Sequence, residues 1–199
     1  MRDRLAGILL FLPVPIVLFL FTQAPLGVGP ALFLGVAVML SHRFYARPAA
    51  LRARDRRCLW CGAGTLPDAM RLELAEPFGN TTWRACSAAH LEALRRVFAW
   101  AEAHGALLRL GILGSLVGFL VLAAGRIVPF ADAVALFRFG IATTVLSFAI
   151  LAPRGAPHHR TPRIPFPAHI QALIGTAAVL WLFRIVGVVW LVLALRRAL

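Results

Sequence analysis

Two short stretches decide the fold of the polar part of this chain: CLWCG at 58–62 and CSAAH at 86–90. The first contains Cys58 and Cys61 as a C-x2-C pair, and the second contains Cys86 and His90 as a C-x3-H pair. All three cysteines of the chain belong to this pattern. Three thiolates and one imidazole at this spacing favour four-coordinate zinc, so the sequence predicts one structural zinc ion held by these four side chains.

The residues between the two ligand pairs predict a β-hairpin. Met70, Leu72 and Leu74 alternate with charged residues, which is the period of a strand with one buried face. The stretch PFGN at 77–80 favours a turn, and TTW at 81–83 favours a second strand.

The second ligand pair opens a predicted helix. Ser87 can cap its start, and Gly105 is expected to end it in a left-handed conformation. Cys86 and His90 are four residues apart and therefore share a face at the positive end of this helix, where a thiolate is favoured. His104 is an alternative fourth ligand, but it lies at the far end of the helix.

The order CxxCG, a gap, then CSxxH at the start of a helix resembles the TRASH-like treble-clef zinc fingers, which carry CSxxC at the second position. The resemblance covers residues 56–104 and none of the apolar remainder. It implies a treble-clef fold around one ion and a link to metal sensing or heavy-metal handling. The chain departs from the pattern at His90, and imidazole makes the site less suited to copper(I) or mercury and more suited to zinc.

A redox role is a weaker interpretation of the same cysteines. The stretch WCG at 60–62 resembles part of the thioredoxin active-site sequence. Gly64 stands where the second cysteine of that motif would be. Thiol–disulfide exchange is therefore a minor alternative to metal binding.

The rest of the 199-residue chain is apolar enough to cross a membrane. It is 60% hydrophobic, whereas soluble domains are about 45–50% apolar. We predict an all-α membrane bundle of about five spans, or four if the last segment is re-entrant, with a small cytosolic treble-clef-like α+β zinc finger inserted in it. The predicted parts are a transmembrane hairpin at 1–42 with spans at about 5–21 and 26–41, the zinc-finger module at 43–105 with its C-terminal helix at 87–104, spans three and four at 106–152, a Pro/Arg/His linker at 153–169, and a last span at 170–199.

Charge predicts the orientation. The formal net charge is +13, every basic residue is arginine, and six arginines lie within 43–57. The positive-inside rule therefore puts the N-terminus and the zinc module in the cytoplasm, with the protein integral to a bacterial cytoplasmic membrane. Five spans would place Arg196 and Arg197 on the opposite side, against the rule.

The expected partners follow from the same charge and from the apolar segments. They are the lipid bilayer, its anionic head groups and a protein partner at the zinc module. Nucleic acid is disfavoured because the charge is spread around the spans. Small residues at Gly111, Gly114, Ser115 and Gly118 favour close helix packing and allow a homo-oligomer.

Three functions are consistent with these features. The first is a membrane protein whose structural zinc module docks a partner or anionic lipid, and the second is a metal-sensing or metal-handling accessory. The third is a small transporter or lipid-modifying enzyme that uses Arg138 and Arg184 inside spans, although snorkelling or pairing with Asp132 would also explain these arginines. The sequence contains no recognisable catalytic motif, and the exposed-loop interpretation is preferred for His158 and His159.

Overall fold

The chain is mostly helical, with a two-stranded sheet beside the predicted metal ligands. The computed structural model describes residues 33, 36–37, 40–64, 69–76, 79–157, 160–163 and 169–198. Its elements are a π-helical turn (His42–Ala46), α1 (Arg47–Arg54), β1 (Met70–Glu76), β2 (Gly79–Ala85), α2 (Ala88–Ala103), α3 (Gly105–Arg109), a π-helical segment (Leu110–Gly114), α4 (Ser115–Ala124), α5 (Phe130–Leu151), a 3-10 turn (Ala152–Arg154), α6 (His169–Ile174) and α7 (Thr176–Ala198).

The hairpin and α2 enclose a small hydrophobic core. β1 pairs antiparallel with β2 so that Leu72 lies opposite Trp83, and both side chains are buried. They pack with Leu94 and Phe98 of α2, which follow the apolar stripe of that helix. The same cluster takes in one buried residue of α1 and two of α6: Ala50, Ala172 and Leu173.

The segment before α6 also contributes to this module. The amide of Ala75 donates to the carbonyl of Pro162 at 3.0 Å, and the two segments run parallel at this point. Pro162 is fully buried. Part of the predicted 153–169 linker therefore packs along the outer edge of β1, where it covers backbone groups that do not face β2. His158 and His159 lie outside the described residues.

Three helical segments among the described residues are long and apolar enough to cross a membrane: Gly105–Ala124, Phe130–Arg154 and Thr176–Arg197. α5 packs against both α4 and α7. Close approach depends on small residues, since a Cβ at Gly111 would overlap Thr144 and a Cβ at Gly140 would overlap Ser115. Of the predicted small-residue set, Gly111 and Ser115 therefore pack within this chain.

Two expectations from the sequence are wrong, and a third concerns residues that the structure does not describe. Gly105 does not end α2 in a left-handed conformation; it opens α3, and the bond from the Leu108 amide to the His104 carbonyl carries the helical path onward. The last apolar run is divided at Gly175, so its long helix starts at Thr176. The first predicted span and most of the second fall outside the described residues.

Arg184 has a structural partner that explains its place in an apolar helix. Pro153 has no amide hydrogen, so the carbonyl of Ala149, four residues earlier, receives no bond from the helix ladder. The Arg184 side chain supplies two donors instead, with Nε at 3.1 Å and Nη2 at 2.9 Å from that oxygen. Asp132 does not fill this role; its Oδ1 lies 3.2 Å from Nε of Arg197.

We expect Arg184→Met to destabilise the α5–α7 contact by about 1–3 kcal/mol, because it leaves a sequestered carbonyl without a donor. Pro153→Ala restores the missing amide and should remove most of that penalty. Unfolding of purified protein in micelles, measured for both single variants and the double variant, gives the coupling energy. The cost of placing an arginine inside a span is the same whether residue 153 is proline or alanine. This cost therefore cancels when the single and double variants are compared in a double-mutant cycle. Strictly additive effects would contradict the assignment.

Candidate metal centre

The structure brings together the four side chains that the sequence pattern singled out. Cys58 and Cys61 lie in the turn after α1, Cys86 directly follows β2, and His90 is in the first turn of α2. Their potential ligand atoms all lie within 4.8 Å of one another. A Cys3His cluster is thus positioned to bind a metal ion.

The separations between these atoms fit tetrahedral coordination. The sulfurs of Cys61 and Cys86 are 3.8 Å apart, and the Cys58 sulfur is 3.7 Å from Nδ1 of His90. Metal–sulfur bonds of about 2.3 Å in a tetrahedron separate two sulfurs by about 3.8 Å. A disulfide needs about 2.05 Å. The Cys86 sulfur lies 3.0 Å from Nδ1 of His90, so this pair would move slightly apart around an ion.

Backbone hydrogen bonds shape the first ligand pair into a tight knuckle. The amide of Cys58 donates to the carbonyl of Ala63, and the amide of Gly62 donates to the carbonyl of Cys58, both at 2.8 Å. Gly62 adopts φ +68°, a left-handed conformation that glycine tolerates without penalty. The amide of Leu59 donates to the carbonyl of Arg84 at 2.8 Å. This last bond fixes the knuckle against β2 and so brings it next to Cys86.

Helix capping orients the second ligand pair. The hydroxyl of Ser87 accepts a hydrogen bond from the amide of His90 at 3.2 Å, as the sequence predicted for an N-cap. The amide of Cys86 in turn donates to the sulfur of Cys58 at 3.4 Å. The cap therefore sets the start of α2, and with it the His90 ring, directly beside the cysteines.

The electrostatics of the cluster favour a cation. Burial alone would raise the pKa of Cys58, but the hydrogen bonds from the backbone of Cys61, Cys86 and Trp60 hold this pKa below its usual value. Desolvation, together with hydrogen bonding to and repulsion from Cys58 and Cys61, raises the pKa of Cys86 to about 11. Several thiolates this close repel one another, and a bound cation removes that repulsion.

Access to the cluster is one-sided. Cys58 is buried, Cys61 is half-buried and Cys86 is exposed. The Trp60 ring lies beside the His90 ring, with centroids 6.4 Å apart. An ion would therefore enter and leave past Cys86.

One predicted alternative ligand lies apart from this cluster, and one contact with the knuckle was overlooked. His104 points to the carbonyl of Trp100 at 3.0 Å and its ring stacks on that tryptophan, so it belongs to the end of α2. Sequence reasoning missed the docking of Gly175 and Thr176 on the knuckle. The glycine–threonine pair is a helix-start signal inside the last apolar run and could have revealed the break.

Comparisons of the chain with protein-family models, with curated proteins and with solved structures found no significant match. The functional argument therefore rests on the donor set and its geometry.

We expect metal affinity to fall as pH is lowered. A thiol with a pKa of about 11 is protonated near neutrality, so the metal must displace a proton from Cys86. Each proton displaced contributes about a tenfold loss of affinity per pH unit of acidification. Cobalt titrations between about pH 8 and pH 6, followed by thiolate-to-cobalt absorption, would measure this slope. Affinity independent of pH would contradict it.

Proposed function

We propose that this chain is a membrane protein whose cytoplasmic module binds one zinc ion as a structural centre. The convergence of three thiols and one imidazole within 4.8 Å is the observation that supports this function. Three thiolates with one imidazole suit tetrahedral zinc, and the imidazole makes the site less suited to copper(I) or mercury. Four protein donors leave no open position for water or substrate, which favours a structural role over a catalytic one.

Zinc would stabilise a module with little core of its own. One hairpin and one long helix bury few large side chains, and domains this small commonly need a metal or disulfides. The arrangement of knuckle, hairpin and helix also supports the treble-clef interpretation. A reducing cytoplasm, which the arginine distribution favours, would keep the thiols available for metal.

The surface leading into α1 favours anionic lipid as a docking partner for this module. Phe44 and Tyr45 are 62% and 67% exposed and come shortly after the apolar stretch at 26–41, separated from it by His42 and Arg43. Arg43 and Arg52 are exposed nearby. Aromatic rings beside arginines suit the head-group region of a cytoplasmic leaflet, where each arginine is attracted by about 1 kcal/mol.

Two alternative functions have different support. Metal sensing or metal handling is consistent with the one-sided access to the cluster. A transporter or lipid-modifying enzyme using Arg138 and Arg184 has less support, because the carbonyl of Ala149 already engages Arg184.

Purified wild-type protein is expected to carry about one zinc per chain, as a closed four-ligand site requires. His90→Ala should lose most of this zinc, whereas His104→Ala, a matched change on the same helix, should keep it. Cys61→Ser should release zinc and make 58–104 protease-sensitive while the spans still insert. Atomic emission and limited proteolysis measure both effects. Full metal content in His90→Ala and Cys61→Ser would rule out the site.

We expect Arg43→Gln with Arg52→Gln to weaken the preference for phosphatidylglycerol over phosphatidylcholine. Loss of about 1 kcal/mol per arginine corresponds to about fivefold each. Native mass spectrometry of protein extracted from mixed vesicles would count the retained lipids. Arg126→Gln with Arg196→Gln is the matched control. Equal effects of the two pairs would contradict a specific lipid-docking surface at α1.

A further inference from the structure

The last candidate span begins on the metal-binding knuckle. The first amides of a helix have no acceptor within the helix itself. At the start of α7, the amide of Thr176 donates to the carbonyl of Leu59 at 2.7 Å, and the amide of Ala177 donates to the carbonyl of Trp60 at 3.0 Å. Leu59 and Trp60 are the two residues between Cys58 and Cys61. The residues that cap α7 are therefore part of the C-x2-C turn.

The contact between knuckle and helix is too close for side chains. A Cβ at Gly175 would lie 2.7 Å from the carbonyl oxygen of Trp60, and a Cβ at Gly62 would lie 2.8 Å from the carbonyl oxygen of Ile174. Gly175 also has φ +93°, which disfavours any other residue. The two backbones thus meet directly, and a shift of the knuckle would move the start of α7.

Buried polar groups reinforce this contact. The hydroxyl of Thr176 lies 3.0 Å from the carbonyl oxygen of Leu59 and 2.9 Å from Oε1 of Gln171. Both Thr176 and Gln171 are buried. Trp60 packs against the core of the metal module and also against the cluster that joins α2, α5 and α7. Separation of knuckle and helix would expose these groups together.

The second ligand pair is connected to a different span. Cys86 and His90 lie at the start of α2, and the chain continues from α2 into the candidate span Gly105–Ala124. Helical bonds continue across the junction, from the amide of His104 to Trp100 and from the amide of Leu108 to His104. The four ligands therefore belong to two units, one capping α7 and one continuous with α3.

We propose that the bound ion cross-links these two spans, and that its loss releases the N-terminal turn of α7 from the knuckle. This inference rests on the metal binding proposed above and gives the metal-sensing alternative a physical route into the membrane. Two metal–sulfur bonds hold the turn that presents the carbonyls of Leu59 and Trp60. Without the ion those two bonds are lost, so the turn is held less firmly and the cap on α7 weakens.

Hydrogen exchange measured by mass spectrometry on the full chain in nanodiscs tests the cross-link. Zinc-loaded protein is compared with the same protein after chelation, and zinc content is measured in parallel. Amides at 175–180 should exchange about 2- to 30-fold faster after chelation, the range that corresponds to loss of one helix cap. Amides at 188–195 should not change, because they lie far from the module.

A glycine variant separates metal binding from coupling. Gly175→Ala leaves all four ligands intact but pushes the helix away from the knuckle, so it should retain zinc and still show fast exchange at 175–180. Gly118→Ala is the matched control, since its Cβ would meet no atom within 4 Å.

The possible results distinguish failure of the cross-link from failure of the metal site. Zinc-loaded protein whose 175–180 amides are unaffected by chelation would overturn the cross-link while leaving the metal site in place. Faster exchange along the whole of α7 would also overturn it, because that pattern reports general unfolding. Wild-type protein that contains no zinc, even after zinc is supplied, would overturn the proposed function itself.

Discussion

The repulsion that would arise between three closely placed thiolates is the constraint on which the rest of the structure depends. Hydrogen bonds from the backbone favour the thiolate at Cys58, while the neighbouring sulfurs oppose ionisation of Cys86. A divalent cation reconciles these demands, because it lets several sulfurs be anionic at short range. The knuckle, the end of β2 and the start of α2 all hold their positions around that point. Without a cation, the sulfurs can share this space only while Cys86 keeps its proton.

The module is part of the membrane domain and does not stand apart as an independent finger. Its core includes residues of α1 and α6, and the segment around Pro162 covers the hairpin edge. The close contact between Gly155 and Trp100 also brings the end of α5 against α2. The three candidate spans thus meet the module at one shared end. Because neighbouring helices contribute part of the buried apolar surface, the module needs fewer buried side chains of its own.

The Cys3His cluster, the hairpin and the capped helix could be predicted because each leaves a local trace in the sequence. Three patterns can each be recognised within a short segment of the sequence: the spacing of the cysteines, the alternation of apolar and charged residues at 70–74, and the position of Ser87 before an apolar stripe. The expectation of a left-handed cap at Gly105 was wrong, because helical hydrogen bonds continue through the junction at His104. The break at Gly175 leaves only a weak local signal, the glycine–threonine pair, inside a long apolar run. The Arg184 contact requires knowledge that α5 and α7 are neighbours, which no local pattern provides.

The partner of Asp132 bears on the conflict between an odd number of spans and the positive-inside rule. Among the residues that the structure describes, the end of the bundle opposite the module contains Arg126, Arg196 and Arg197. Asp132 at the start of α5 pairs with Arg197 near the end of α7, so that end has two arginine charges left to balance. The other end contains the arginines of 43–57 together with those beside Pro153 and Pro162. The proposed cytoplasmic placement of the module is consistent with this imbalance in charge, and under that proposal a C-terminus on the other side would cost less than a count of arginines alone implies.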